Sequence, residues 1–408
     1  MSAAHLAEKD NGLKRVASDH RAEAVSRLER EILGTCEASR LMEPVPSGFN
    51  SVALFTCILL GMTDSWHHPT MLGLKHLHSA RVLFQRWRPV VIESVQSTEE
   101  RKSVHFVAGI MAYWEALVSF LRDQPLDITS YLSSYVDESY DTIPPNPWTG
   151  ISTPLFIYLA RVGALGRQRD TLRKMNLSSL VSDVEEQIQV KLINKACEIE
   201  TLLLGYCIPP LDKIEKTDDT KTPEIHLQKT AKIFRLTTLL ELYLSFPELL
   251  RPREKGSSHS EFDGSYRLET SKSSKMLSLA TGILTIISTL PLDSGTNVIL
   301  SLPLIVAGSA LQPPAPICTS QETDLCGELA NIHNEQGVHE HWRPFVRERL
   351  KNIHRFVGLA SVMRGLEVVE KTWLVSDLQR LAGQQGIREQ FVHWTNVMVD
   401  ERLETIFG

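Results

Sequence analysis

No two of the six cysteines in this 408-residue chain stand close enough in sequence to share a metal ion. Cys36, Cys57, Cys197, Cys207, Cys318 and Cys326 are scattered, whereas zinc ligands come in pairs two to four residues apart. Isolated thiols in apolar surroundings, behind a charged N-terminal stretch unlike a secretory signal, predict reduced cysteines inside the cell. Long hydrophobic runs are lacking too. The longest, 277–292 and 298–311, fall short of the ~20 residues of a spanning helix. They read as buried core helices, and no membrane contact is expected. There is no Gly-rich phosphate loop after a strand, no Gly-x-Ser-x-Gly elbow and no run of alternating β-branched residues. Enzymatic chemistry finds no anchor, so no catalytic, cofactor-binding or metal-binding residue is assigned.

Positive charge is not in excess either. The balance of 43 Lys+Arg against 49 Asp+Glu gives a formal charge of -6. Phosphate binding needs a net basic face, so direct contact with nucleic acid is not expected from this chain. A composition of 42% hydrophobic and 23% charged residues is that of an ordinary soluble globular protein. The length allows one large core or two.

What is present is helical periodicity. Val25, Leu28, Ile32 and Leu33 make an amphipathic stripe that needs a partner surface, its own domain before a second copy. Residues 51–62 are almost wholly apolar, as are 106–121, where Met111, Trp114 and Leu117 share a face beside Glu115. The central stretch is 147–169, a stop followed by a start. Pro144, Pro145 and Pro147 hold the chain extended, Gly150 permits a sharp bend, and Ser152 or Thr153 can cap a helix with Pro154 in its first turn. Leu155, Tyr158, Leu159, Val162 and Leu165 then fall on one face.

Further on, 180–206 carries Val181, Val184, Ile188, Leu192, Cys197, Ile199, Leu202 and Leu203 at mostly helical spacing. Thr222-Pro-Glu224 reads as a capped helix start, and Pro247 ends that helix after a deeply apolar section at 234–244, interrupted by Arg235 and Glu241. Residues 251–275, full of Ser, Gly, Lys and Glu, read as a flexible insertion. Pro303 is expected to break the ladder of the following apolar helix locally, and Gly308 to admit a close neighbour. A helix is expected to start at Pro344 and a further one to carry Leu366, Val369 and Trp373, and the sequence closes with the apolar residues Phe391, Trp394, Val397 and Met398.

Two polar clusters invite chemistry. His67, His68, His76 and His78 lie close in sequence, but two-residue spacing on a helix points His76 and His78 apart, and only Asp64 could join them. His339 and His341 are likewise two apart, where a zincin needs four. The acids Asp137, Glu138 and Asp141 imitate the magnesium-holding group of all-helical terpene cyclases, which gathers carboxylates around a diphosphate–metal cluster. They abut the proline break, and no second such motif follows, so a solvated charged loop is the preferred reading and a metal-dependent cyclase the alternative.

The segment Pro147-Trp-Thr-Gly150 resembles the signature of the fungal-specific transcription factor regulatory domain, the helical part that accompanies fungal binuclear zinc clusters. Segments 234–247, 302–310, 347–373 with Asp377, and 394–408 resemble that family in the same order, with Gly365, Glu367, Trp373 and Asp377 fitting one of its patterns. The resemblance implies an all-α regulatory domain over 46–408 with the insertion at 251–275, preceded by a disordered N-terminus and amphipathic helix at 1–45. It implies a nuclear transcriptional regulator, with other transcription factors or the transcription machinery as partners, self-association as homodimer or heterodimer, and an apolar small-molecule effector in some relatives. Six is the cysteine count of a binuclear zinc cluster, but the spacings here do not fit one. The expectation is a regulator of a fungal secondary-metabolite gene cluster that acts through protein contacts without a zinc cluster of its own.

Overall fold

Prolines and glycines cut the chain into helices, and burial decides how these stack. The computed structural model describes residues 15–16, 18–28, 30, 51–67, 70–94, 98–135, 142–175, 182–250, 261–312, 325–383 and 391–407. Its helices are α1 (Ser51–His67), α2 (Leu74–Ser94), α3 (Thr98–Ser119), α4 (Thr153–Met175), α5 (Ser182–Gly205), α6 (Glu224–Ser245), α7 (Glu261–Ser288), α8 (Ser301–Ser309), α9 (Leu325–Val357), α10 (Ala360–Gly383) and α11 (Trp394–Asp400). Among the described residues there is no strand, only isolated bridges joining Ile143 to Ile214 and Asn146 to Gly150. The fold is all-α, as the sequence predicts. No helix among the described residues is long and apolar enough to cross a membrane.

The stack is organised around α4, α6 and α8. α4 packs against α3, α5 and α6, α6 against α7 and α8, and α8 against α7, α9 and α10, while α1 pairs with α2 and α10 carries α11. The five apolar residues expected on one face of α4 are buried, but so are Phe156, Ile157, Ala160 and Ala164. Neighbours on several sides leave this stretch almost no solvent face. Every residue of α8 is buried. Its Pro303 breaks nothing, because it is the third helical residue, where the amide has no intrahelical acceptor to lose. A Cβ on Gly308 would sit 2.9 Å from Val346 Cγ1 and 3.3 Å from Val369 Cγ1, so this glycine does admit α9 and α10.

Helices that end inside such a stack leave carbonyls without partners. Arginines from neighbouring helices supply them. Arg235 of α6 donates to the Leu203 and Leu204 carbonyls, each at 2.8 Å, at the end of α5. Arg169 of α4 reaches the Ser245 carbonyl at 2.5 Å, closing α6. Arg349 of α9 holds the Leu290 carbonyl at 2.9 Å beyond α7, and Arg343 the Leu311 carbonyl at 3.0 Å beyond α8. A cation at the carbonyl end is also favoured by the helix dipole.

Several boundaries differ from the sequence reading. α7 begins at Glu261, inside the span expected to be a flexible insertion, because Ser, Lys and Glu extend a helix readily once its apolar end at 276–287 is anchored. Residues 251–260 lie outside the described ones. Pro344 lies within α9 instead of starting a helix, and Val346, Leu350 and Ile353 after it are buried as expected. On α5 the buried stripe is Leu192, Ala196, Ile199 and Leu203, with Ile188 and Leu202 exposed. Thr222 does not cap α6; its hydroxyl donates to Asp219 Oδ2 at 2.6 Å, while the Glu224 carboxylate takes the Thr217 amide at 2.9 Å. At the N-terminus, residues 18–28 are helical and dock on the chain's own core, with Leu28 buried and Arg21 paired to Asp64. Ile32 and Leu33 fall outside the described residues.

Candidate functional site

Asn146 organises the Pro-Trp-Thr-Gly turn. Its Oδ1 accepts from the amides of Trp148 at 2.9 Å and Thr149 at 3.3 Å, and its Nδ2 donates to the carbonyls of His105 and Phe106 on α3. This is an Asx turn bolted to a neighbouring helix. Gly150 closes it at a φ of 61°, which the left-handed region grants to glycine at little cost. The caps expected of Ser152 or Thr153 are not made to an amide; Thr153 Oγ1 pairs with Thr149 Oγ1 at 2.8 Å. The turn delivers α4 into the stack with Trp148 against Tyr113, ring centroids 5.5 Å apart. Sequence reasoning began one residue late, at Pro147, although Asn before Pro is itself a turn signal.

Two buried polar clusters interrupt the apolar interior. In the first, Glu115 of α3 is 1% exposed and receives Arg81 of α2 through Nε at 2.6 Å and Nη2 at 2.5 Å. Tyr131 donates its hydroxyl to the same carboxylate at 2.6 Å, and Gln124 takes the remaining Arg81 bond. Burial, then the Glu115 charge, holds the Tyr131 hydroxyl well above the usual phenol value, so it stays a donor.

The second cluster joins the C-terminal segment to α6. Glu241 is buried at 1% exposure, and its oxygens face Trp394 Nε1 at 2.8 Å and His393 Nε2 at 3.3 Å. Both partners come from residues 391–407. The Trp394 ring lies 5.4 Å from Phe120 and 6.0 Å from Phe407, centroid to centroid, so it fills the gap between α3, α6 and the chain's last turn. His393 also caps α11, its Nδ1 lying 3.3 Å from the Thr395 amide and 2.8 Å from Thr395 Oγ1. A neutral ring with its proton on Nε2 makes both contacts, and a charged ring gives up the amide cap for a stronger hold on Glu241. A cap that accepts the amide proton needs a neutral ring and is worth about 1 kcal/mol, whereas leaving a buried carboxylate without its cation costs about 3–5 kcal/mol. The carboxylate wins: burial disfavours the imidazolium, but Glu241, with Asp170 adding and Arg173 subtracting, lifts His393 above the usual histidine value. Sequence reasoning singled out Glu241 as an interruption and missed His393.

The clusters that drew attention in the sequence fare differently. Asp137, Glu138 and Asp141 lie outside the described residues. His76 sits 4.0 Å from Asp64, and His78 is exposed. Among the described residues no three His, Cys, Asp or Glu gather as metal ligands. Cys57 is buried and bonded to the His76 carbonyl, and burial pushes its thiol up to about 12, far from a reactive thiolate. Tyr113, Leu117, Phe156, Phe234, Leu302 and Phe407 meet along an apolar seam with no room for a water molecule.

Arrangements of this kind hold helices together and present surfaces; they define a helical scaffold. The family model of the fungal specific transcription factor domain matches residues 1–408, and the chain belongs to that family. Comparison with curated proteins and with solved structures gives no match.

Proposed function

We propose that this transcriptional regulator governs one fungal secondary-metabolite gene cluster, acting in the nucleus through contacts with another transcription factor or the transcription machinery. The outer face of α10 supports this reading. Leu374, Leu378 and Leu381, at 57%, 55% and 60% exposure, recur four and three residues apart on one helical side. Apolar side chains aligned this way suit a partner helix. The six cysteines lack zinc-pair spacing, and the net charge of -6 does not favour a phosphate backbone, so a partner brings the chain to promoters. An apolar effector would have to open the seam between Phe156, Phe234 and Phe407, because the packing there is filled.

Deleting the gene and comparing whole transcriptomes tests the proposal. Loss of transcripts from one co-located biosynthetic gene set is expected. Unchanged transcripts with loss of one metabolite would instead indicate an enzyme, and would overturn it. Restoring the gene with Leu374→Glu and Leu378→Glu should fail to restore those transcripts while the protein remains folded.

A further inference from the structure

Among the described residues, the segment 391–407 makes one buried charged contact, His393 with Glu241, besides the exposed pair of Glu401 with Lys371. Glu241 has two polar partners, Trp394 Nε1 and His393 Nε2, both delivered by this segment. His393 Nδ1 faces both a donor, the Thr395 amide, and a group that can accept, Thr395 Oγ1. The ring therefore has a bonded arrangement in either charge state. As an imidazolium it donates toward Glu241 and Thr395 Oγ1; as a neutral ring with its proton on Nε2 it keeps the amide cap and a hydrogen bond to Glu241, and the buried carboxylate loses only its counter-charge.

We propose that residues 391–407 form a pH-sensitive latch, closed while His393 is protonated against Glu241 and loosened when the ring loses its proton. The groups facing the ring come from three elements. α6 contributes Glu241, and the Ser245 hydroxyl at 3.4 Å. α4 contributes Asp170 and Arg173, which oppose one another, and Arg169, which is occupied by the Ser245 carbonyl and Glu248. The segment itself contributes Thr395. The neighbouring Val392 is held through its backbone by the uncharged Gln312, which does not titrate.

The direction follows from linkage. The folded ring holds its proton more tightly than the unfolded ring, whose value is near 6.5. The stabilisation is complete below that value and is lost as pH rises through the higher folded one. Loosening swings Trp394 away from Phe120 and uncovers apolar surface beside a buried carboxylate.

Hydrogen exchange of the 394–400 amides, corrected for intrinsic chemistry, reads the latch between pH 6 and pH 8.5. The local opening constant is expected to rise several-fold, by about tenfold for each pH unit by which the folded value exceeds the unfolded one. Amides of α4 serve as the reference and should not follow. In His393→Gln, which keeps a donor toward Glu241 without titrating, the rise should vanish. An equal rise in that variant, or none in the wild type, overturns the proposal. An NMR titration of the His393 ring in the wild-type chain decides the matter independently of the variant. Its proton must leave above the ordinary histidine value and in step with the loss of protection; a ring that titrates below it refutes the latch.

Discussion

Trp373 on α10 donates its indole N–H to the Gly308 carbonyl on α8, 2.7 Å away, with both residues buried. Arg343 and Arg347 of α9 lie over the same ring, 5.1 Å and 4.9 Å from its centroid. One side chain thus fixes the spacing of three helices. Trp373→Phe should keep most of the bulk, leave the Gly308 carbonyl to the Leu311 amide at 3.1 Å and weaken the cation contacts, lowering stability by about 1–2 kcal/mol. Gly308→Ala should cost a similar amount by forcing Val346 aside. Urea unfolding of both variants checks this, and a neutral Gly308→Ala would mean that α9 is not seated as described.

Gly73 and Gly150 share a φ of 61°, yet their surroundings differ. A Cβ at Gly150 would meet only Leu227 Cδ2 at 3.6 Å, whereas at Gly73 it would strike the backbone of Gly61. Gly150→Ala should therefore cost about 1–2 kcal/mol of left-handed strain. Gly73→Ala should add a backbone clash that no rotamer relieves, for a total of about 3 kcal/mol or more. Thermal melts of the two variants side by side would expose a wrong packing of α1 on α2 if their order were reversed.

Glu115→Gln leaves the Arg81 guanidinium buried without a counter-charge. A loss of about 3–5 kcal/mol is expected, large enough to bring unfolding into mild denaturant. Glu348→Ala, which removes one exposed partner of Lys351 at 3.3 Å, should change stability by less than about 0.5 kcal/mol. Equal effects from the two would contradict the burial of the first pair.

Much of this was legible in the sequence. Apolar periodicity located the helices and the prolines their breaks, because both act locally. Long-range pairing was not legible. Nothing near Arg235, Arg169, Arg349 or Arg343 says that each will close the end of a different helix, since the carbonyls concerned lie 32 to 76 residues away. Glu241 could be noticed as a charge in an apolar run, but its partner is 153 residues distant. Residues 261–275 misled because their polar composition suits a loop and a solvated helix equally well. Once 276–287 is anchored, the helix wins.

His339 should give the stability profile an acid limb. Burial, and then the Arg343 cation, lower its value to about 4. Between that value and about 6.5 the unfolded chain holds the extra proton, so stability falls as pH drops through this window, by up to about 3 kcal/mol. His339→Gln should flatten the limb, and urea midpoints between pH 4 and pH 7 measure it. His393 acts on the alkaline side and in the reverse sense, so flattening by His393→Gln in this window would count against both assignments.

The distance between Glu241 and Trp394 also has a consequence during synthesis. At about 5–20 residues per second, a ribosome needs roughly 8–30 s to travel the 153 residues that separate them. Throughout that interval the growing polypeptide holds a carboxylate meant for a dry interior and a gap shaped for an indole, with neither yet filled. Chaperones that shelter unfinished chains would find in α6 a client surface, and translation speed over this stretch would set how long it stays on offer.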